Sequence, residues 1–263
     1  MDRLRVGLVL CLAVVGTVGG AKAQMVREAA GRVMPAPAEQ LLALANEARA
    51  ESGAGRLKWD GALAEAARQH CLRMAAEGPI AHRYGGEPGL AERAGKAGAR
   101  FGLIEENVAV GPNAAEIHDE WMNSPGHRAN LLNPDVDRVG IAVVASRGEL
   151  YAVADYAQEV EALTPAQVEA KVAQLVRVSG VAIRSDHATA REACVMSSGI
   201  PATRAGAQPR FIMRWQNPDL AELPQALVNR LASGQYRQAS IGSCSAQGLQ
   251  GKFTAYRVAV LLY

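Results

Sequence analysis

Hydrophobic residues recur every three or four positions in the first globular part of the chain. This spacing predicts a helix from Ala38 to about Ser52, which a Gly-Ala-Gly sequence then ends. Asp60 can cap a second predicted helix that runs to about Glu77. His70 lies beside the hydrophobic stripe of that second helix, so we interpret it as a core histidine whose ring nitrogens are hydrogen-bonded.

Two shorter helices are predicted next. One spans about residues 90–97 and ends at a glycine. The other begins at Asn113, a capping residue, and runs to Trp121. Ser124-Pro125-Gly126 should end it, because proline disfavours helical geometry in the residue before it. His127 would then stand in a rigid turn just past a helix end, where binding groups are often found.

Three strands are predicted around and after these helices. They cover about residues 103–110, 139–144 and 151–156, and a turn at residues 146–149 can join the last two into a hairpin. The first strand contains Glu105-Glu106, and acidic residues within a strand are costly unless they are paired or solvated. This acidic pair is therefore a candidate functional feature.

The C-terminal part has its own alternation of helix and strand. A helix is predicted from Pro165 to about Val178, and residues 180–209, rich in Gly, Ser, Thr, Ala and Arg, are expected to include a long loop. A compact unit then follows, in which the strongly hydrophobic final strand is predicted to be central in a small sheet. Its predicted elements are a strand at 211–215, a helix at 219–232, and strands at 236–241 and 253–263.

The first residues have the layout of a secretory signal peptide. A short basic start precedes a hydrophobic run from Val6 to Val18, and Ala21-Lys22-Ala23 offers a cleavage site after Ala23. The hydrophobic run is too short for a comfortable membrane span. We therefore expect a secreted or periplasmic protein without an integral membrane span after removal of residues 1–23, with a flexible lead-in over residues 24–37.

Composition excludes one class of partner. The chain of 263 residues carries 28 Lys and Arg against 26 Asp and Glu, a net charge of only +2. Without a basic block or interleaved aromatic residues, the sequence predicts no nucleic-acid partner. Its length allows two domains, for which we predict the bounds 38–158 and 165–263.

Export changes the interpretation of the cysteines. Cys11 would leave with the signal peptide, and an oxidising compartment permits a disulfide among the other three. Cys194 and Cys244 both lie in the C-terminal part, and we predict that they pair. Cys71 lies on a predicted helix and is expected to be a small buried hydrophobic residue.

An ordered set of motifs in residues 38–158 resembles the CAP superfamily (cysteine-rich secretory, antigen 5 and pathogenesis-related proteins), in its bacterial SCP-like branch. The most specific are Glu106-Asn107-Val108-Ala109 and the sequence from Trp121 to Asn130 with its Ser-Pro-Gly-His-Arg core. The others, in chain order, are Leu57-Lys58-Trp59-Asp60, Ala66-Ala67, Met74, His82, Val139-Gly140-Ile141-Ala142 and Tyr151 to Tyr156.

The resemblance implies an α-β-α sandwich, an α+β fold that agrees with four predicted helices around three strands. A small α/β domain would follow it. The resemblance also implies a cleft with two histidines and two acids, which His82, His127 and Glu106 match. The second acid has no match, because Ser124 and Pro125 stand in its place. Structural roles are expected for four further residues, Asn107, Trp121, Ser124 and Arg128.

The predicted cleft leaves several functions open. We favour a binding or interaction module for an unidentified lipid, cell-envelope or protein ligand, in which His82 and His127 could bind Zn²⁺ weakly. The alternative is a metal-dependent, peptidase-like hydrolase in which Glu106 is the base. Ser124 and His127 could also serve a serine hydrolase, but no Gly-x-Ser-x-Gly motif accompanies them. A purely structural polar cluster remains a further alternative.

Overall fold

Five helices and four strands form the N-terminal half, which we define as residues 36–159. The helices are α1 (Ala36–Ser52), α2 (Gly61–Glu77), α3 (Leu90–Ala97), α4 (Ala114–Asn123) and α5 (Pro125–Leu132). The strands are β1 (Lys58–Trp59), β2 (Phe101–Gly111), β3 (Arg138–Ser146) and β4 (Glu149–Glu159). This computed structural model describes residues 36–201, 207–247 and 252–263. The predicted signal peptide lies outside these residues and stays a prediction.

Capping residues set the starts of two of these helices. Asp60 Oδ1 accepts hydrogen bonds from the backbone N–H groups of Ala62 and Leu63, each at 2.8 Å, and so begins α2. Asn113 Oδ1 accepts one from the N–H of Glu116 at 3.0 Å and begins α4. Both caps satisfy N–H groups that have no partner inside the helix. The predicted helix starts at these two positions are thus confirmed.

The sheet of the N-terminal half is covered by helices on both faces. Its strand order is β1-β3-β4-β2, with β1 parallel to β3 and the other neighbours antiparallel. Ala109, Ile141 and Ala154 pack towards α1, α4 and α5. Val108 and Val153 point to the opposite face and pack against α2. The fold is therefore an α-β-α sandwich, as predicted.

The predicted hairpin between β3 and β4 is also confirmed. Arg147 and Gly148 form its two-residue turn and have φ angles of 55° and 83°. Positive φ at both positions is the geometry of a type I′ turn, whose twist matches that of the flanking strands.

Two elements of this half were missed by sequence interpretation. Lys58–Trp59 pairs with β3 as a short parallel strand, and Pro125–Leu132 is a helix. Proline is tolerated in the first turn of a helix, where its missing N–H is not needed, so Pro125 both ends α4 and begins α5. His127 consequently lies in the first turn of α5. The prediction that it stands in a non-helical turn was wrong.

Three helices and four strands form the described part of the C-terminal half, which we define as residues 164–263. The helices are α6 (Pro165–Val178), α7 (Ala188–Val195) and α8 (Gln225–Ala232). The strands are β5 (Ala182–Ile183), β6 (Phe211–Asn217), β7 (Gln238–Cys244) and β8 (Tyr256–Leu262). The side chain of Thr164 caps α6 through the N–H of Gln167, which completes a capping box.

The sheet of the C-terminal half has the order β5-β7-β8-β6. Strand β5 is parallel to β7, and the other neighbours are antiparallel. The predicted central position of the last strand, β8, is confirmed. Val172 of α6 and Leu227 of α8 pack on one face with Val260, whereas α7 packs on the other.

One prediction for this half was wrong, and two elements were missed. Strand β5 and helix α7 lie in the segment 180–209, where sequence interpretation identified neither. The helix predicted from residue 219 begins only at Gln225, after Pro224. Proline disfavours helical geometry in the residue before it, so the helix cannot extend back to residue 219.

The cysteine predictions are confirmed. Cys194 and Cys244 form a disulfide with their Cα atoms 5.9 Å apart, and Cys71 is free and buried. Burial raises the pKa of the Cys71 thiol to about 12, which makes it unreactive at neutral pH. Among the described residues, no helix combines the length and hydrophobicity that crossing a membrane requires.

Candidate functional site

A carboxylate on β2 holds two cationic side chains in place. Glu106 is almost fully buried, and its Oε1 lies 2.9 Å from Nδ1 of His82, in the loop between α2 and α3. Its Oε2 accepts a hydrogen bond from Arg93 of α3, whose side chain is equally buried. Both oxygens of Glu106 are therefore occupied by charge-assisted contacts.

His82 is the exposed member of this cluster. Its side chain is 60% exposed, whereas that of Glu106 is 3% exposed. The hydrogen bond to Glu106 favours the imidazolium form and raises the pKa of His82 above its usual value. His82 therefore offers solvent a ring that holds its proton to higher pH than a free histidine.

His127 lies within electrostatic range of His82 but has the opposite electrostatic behaviour. Its Nδ1 is buried and has no hydrogen-bond partner among the described residues. Burial lowers the pKa of His127, and the nearby positive charge of His82 lowers it further. The two predicted histidines therefore influence each other electrostatically. The protonated form of His82 is favoured, whereas the neutral form of His127 is favoured.

A small amide network fixes the backbone beside His127. Asn107 Nδ2 donates to the carbonyl oxygen of His127 at 2.9 Å, and Asn107 Oδ1 accepts from Asn130 at 3.0 Å. Asn130 also donates to the backbone oxygen of Glu106 at 3.2 Å. Asn107 therefore connects β2 to α5, so that Glu106 and His127 hold their relative position.

The other predicted structural residues take different positions. Trp121 is buried, and its indole N–H donates to the carbonyl oxygen of Val108 at 3.3 Å. Ser124 lies between α4 and α5, where its carbonyl oxygen accepts from the N–H of Arg128 at 2.9 Å. The guanidinium of Arg128 is exposed, and the hydrogen bonds found within the described residues do not include it.

Arg49, which sequence interpretation did not identify, satisfies backbone carbonyl groups near the ends of α1 and α5. It is fully buried in α1 and donates at 2.6–2.9 Å to four backbone oxygens. The acceptors are the carbonyls of Gly55, Leu131, Asn133 and Val136. Arg49 therefore ties α1 to the segment that follows α5.

Asp155 is a second residue that sequence interpretation missed. It lies on β4 directly opposite Glu106 and is fully buried. Neither of its oxygens has a hydrogen-bond partner among the described residues. Burial, and then the charge of Glu106, raise the pKa of Asp155 well above its usual value, so that its neutral form is favoured.

His70 behaves as predicted. Its two ring nitrogens lie 2.8 Å from Glu87 and 2.8 Å from the carbonyl oxygen of Ala81, and the side chain is fully buried. Both ring nitrogens of His70 therefore have partners, and the residue belongs to the core outside the cleft.

The donor set of the cleft fits a metal ion only in part. Within the described residues there is no group of three or more His, Cys, Asp or Glu side chains that could hold one. Glu106 is engaged on both oxygens, and His82 uses Nδ1 to contact it. Two imidazoles therefore remain as donors, fewer than the three protein ligands of a typical catalytic zinc site.

A mostly antiparallel sheet between helical layers, with a glutamate in the middle of a long strand paired to a loop histidine and a second histidine on a short helix, defines the class of fold. The model of the cysteine-rich secretory protein family, CAP, matches residues 42–156. This part of the chain is therefore a CAP domain, and the resemblance inferred from the motifs is confirmed.

Curated relatives match the same part of the chain. A membrane protein of Bacillus subtilis, YlbC, is 35% identical over 112 residues, which are 40% of this chain and 31% of the relative. Another Bacillus subtilis protein, YkwD, is 30% identical over 112 residues, 41% of this chain and 42% of the relative. The chain thus spans less than half the length of either relative.

Similar solved structures also cover about half of the chain. An extracellular protein of Bacillus anthracis with an SCP domain is 25% identical, with a TM-score of 0.44, and the match covers 47% of this chain and 40% of that one. An outer surface protein of Borrelia burgdorferi is 23% identical, with a TM-score of 0.43, and the match covers 46% of this chain and 91% of that one.

Proposed function

We propose that the CAP domain is a binding or interaction module that works outside the cytoplasm, with the cleft between His82 and His127 as its ligand site. The observation that carries this proposal is the engagement of Glu106 by His82 and Arg93. A carboxylate held between two cations has a fixed position, and both of its oxygens are already engaged. It organises the cleft, and the imidazoles are the groups left to meet a ligand.

The two imidazoles suit a polar ligand group. A protonated His82 donates hydrogen bonds, whereas a neutral His127 can also accept one. A ligand that carries both an acceptor and a donor, such as a hydroxyl, amide or acid group, would satisfy both rings. Lipid, cell-envelope and protein ligands all carry such groups, so this geometry supports a polar contact without selecting among these sources.

An extracytoplasmic location is supported by two features of the chain. The first 23 residues have the layout of a signal peptide. The Cys194–Cys244 disulfide requires an oxidising compartment, because cytosolic thiols are kept reduced.

The metal-dependent hydrolase is the second candidate. It needs Glu106 as a free base and at least one more metal ligand beside the histidines. The ion pair with Arg93 opposes the first requirement, and the donor set of two opposes the second. Weak zinc binding by the two imidazoles alone stays part of our proposal.

Zinc calorimetry on the mature protein tests the cleft. We expect about one zinc ion per chain, bound weakly, and loss of binding in both His82→Ala and His127→Ala. His118→Ala is the matched control, because His118 lies on α4 and should leave binding unchanged. Tight binding that also disappears in Glu106→Gln would instead favour the hydrolase and justify a screen for peptidase activity.

The ligand site itself is tested by a screen that does not depend on zinc. Fluorescence from a label near His82 should respond to a glycan fragment, a phospholipid vesicle or an envelope protein extract. The response should be reduced in His127→Ala. A response equal in both histidine variants and in the wild type would place the ligand elsewhere and overturn the proposal.

A further inference from the structure

The two halves of the chain share more than a strand order. Both sheets have a two-residue parallel edge strand, two long antiparallel strands in the middle and an antiparallel strand at the other edge. The element order of the C-terminal half is helix, short strand, helix, strand, helix and a final antiparallel pair. The N-terminal half has the same order with two further helices, α3 before β2 and α5 before β3.

Backbone hydrogen bonds align the halves residue by residue. Lys58 donates to Asp137, and in the C-terminal half Ala182 donates to Arg237, both at 3.0 Å. The same alignment recurs two residues on, where the N–H of Asp60 donates to Val139 and the N–H of Arg184 donates to Ala239, both at 2.9 Å. The short strands and their partners therefore correspond one to one.

A close contact between helix and sheet also recurs. A Cβ atom added to Gly140 would lie 1.9 Å from the backbone nitrogen of Ala64 in α2. One added to Gly242 would lie 2.2 Å from the backbone carbon of Ala190 in α7. In each half the helix after the short strand crosses the neighbouring central strand at a glycine, which allows the two backbones to touch. The two glycines do not occupy matched positions, because the alignment of Val139 with Ala239 places Gly242 two residues beyond Gly140.

Cysteine positions give the sharpest correspondence. Cys71 Sγ lies 3.1 Å from the carbonyl oxygen of Tyr151, and Cys194 Sγ lies 3.4 Å from that of Arg257. Tyr151 pairs with Val144 across the sheet, whereas Arg257 pairs with Cys244. Val144 therefore occupies, beside the free Cys71, the place that Cys244 occupies beside Cys194.

We infer that the C-terminal half is a second copy of the CAP-type fold, one that lacks the cleft. The cross-strand pair Glu106–Asp155 of the first copy corresponds to Ile212–Leu261 of the second. A hydrophobic pair cannot hold a cationic histidine, so the cleft chemistry belongs to the N-terminal half alone.

Val144→Cys tests this inference. If the two halves are equivalent, the new thiol meets Cys71 as Cys244 meets Cys194, and the oxidised mature protein contains no free thiol. Peptide mapping should identify a bond between Cys71 and the thiol introduced at position 144, beside the native disulfide. Ala145→Cys is the control, because residue 145 is exposed on the other side of the strand and should leave two free thiols.

A second variant, which replaces the cysteine of the C-terminal half by the valine of the N-terminal half, tests the inference if Val144→Cys does not fold. Cys244→Val should leave Cys194 reduced and buried, as Cys71 is in the first copy. Its thiol should then react with a thiol reagent at least tenfold more slowly than after denaturation. Two unpaired thiols in folded Val144→Cys, or a rapidly reacting Cys194 in folded Cys244→Val, would overturn the duplication.

A groove in the C-terminal half carries a second inference independently. It has a volume of about 460 Å³ and lies between α6 and the start of α7. Arg191 at its edge is paired with the buried Glu169 through two contacts of 2.7 Å. Arg177 and Arg184 also line the groove, and neither has a carboxylate partner among the ion pairs of the described residues.

The guanidinium of Arg184 is held in place by neutral groups. It lies 4.5 Å from the ring centre of Tyr263 and donates to Gln238 Oε1 at 3.1 Å. The corresponding position in the first copy is Asp60, so the charge is reversed between the copies. Asp186, two residues further on, is engaged as a cap by the N–H of Ala188 at 3.0 Å.

We propose that this groove binds a phosphate group, whose negative charges match Arg177 and Arg184. An arginine fork suits the oxygens of phosphate, and the guanidinium of Arg184, which is already held in place, loses little entropy on binding. The phosphate could belong to a free anion or to the headgroup of an anionic lipid, and the two sources are separated by experiment.

Calorimetry with inorganic phosphate at constant ionic strength is the first arm. We expect binding that weakens about tenfold in Arg177→Gln and in Arg184→Gln, the effect of one lost charge-assisted contact. Arg56→Gln is the charge-matched control, because Arg56 is exposed in the N-terminal half.

Flotation with vesicles of phosphatidylglycerol, compared with phosphatidylcholine, is the second arm. Binding to the anionic vesicles that is lost in Arg184→Gln assigns the phosphate to a lipid headgroup, whereas binding of inorganic phosphate alone assigns it to a free anion. Failure of the wild type to bind either probe, or equal binding by the Arg184 and Arg56 variants, would overturn the proposal.

Discussion

Asp155 and Glu106 lie directly opposite each other on adjacent antiparallel strands, where the carboxylate of Glu106 contacts two basic side chains and the carboxyl of Asp155 is favoured in its neutral form. Arg93 and His82 occupy the oxygens of Glu106, whereas Asp155 is fully buried without a hydrogen-bond partner among the described residues. Two charged carboxylates at this spacing would repel each other, so burial leaves the proton on Asp155.

Asp155→Asn should make the protein more stable at neutral pH. The folded-state pKa of Asp155 is raised above its unfolded value of about 3.9, so its stabilising contribution is present below that pH and is lost as the pH rises. Asparagine cannot ionise, and the advantage of the variant should grow by up to about 1.4 kcal/mol per pH unit. Urea unfolding from pH 4 to pH 8 measures it. An advantage that is constant with pH would contradict a neutral Asp155.

His82→Ala should cost more stability at pH 6 than at pH 8.5. The pKa of His82 is raised in the folded state, so its contribution is fully present below about pH 6.5 and is lost as the pH rises through the folded value. Because the side chain is 60% exposed, solvent screening limits the effect to about 0.5 kcal/mol. An NMR titration of His82 should give a midpoint above 6.5, and a lower midpoint would rule out this electrostatic account.

Arg49→Met should destabilise the CAP domain by about 3 kcal/mol or more. The substitution keeps much of the side-chain volume but leaves four backbone carbonyl groups without their donor. Denaturant unfolding is the measurement. Arg68→Met is the control on the exposed face of α2 and should change stability by less than about 0.5 kcal/mol.

Gly140→Ala and Gly242→Ala should each destabilise their own half by about 1–3 kcal/mol or more. The added methyl group meets helix backbone, which cannot move aside as a flexible side chain can. Gly126→Ala has open space around the new atom and should be neutral or slightly stabilising. Hydrogen exchange of the backbone amides measures the stability of each half separately. An effect of Gly242→Ala confined to the N-terminal half would be inconsistent with the packing.

The sequence predicts the elements whose signals are local. Asp60 and Asn113 cap helices through side chains within three residues, and the strands of the hairpin follow from alternation and a two-residue turn. The predicted end of α4 before Pro125 is confirmed, but the helix that Pro125 begins was missed. The same residue can end one helix and begin the next, and the packing of α5, which the local sequence does not show, decides whether a second helix follows.

The residues of the candidate site also fall into two groups, those that the local sequence identifies and those that it does not. His82, Glu106 and His127 were found because motifs mark them. Arg49 and Asp155 were missed because their roles depend on partners far away in the chain. An arginine on an amphipathic helix is usually solvated, and Arg49 differs only because carbonyl groups more than 80 residues away surround it.

The order of strands in each sheet determines when that sheet can form. Strand β4 separates β2 from β3, and β8 separates β6 from β7, so the last strand of each half fills the middle of its sheet. A chain that emerges from a ribosome or a translocation channel therefore holds unpaired edges until that strand arrives. The N-terminal half can close as soon as residue 159 emerges, well before β8, and each sheet should then assemble in a single step.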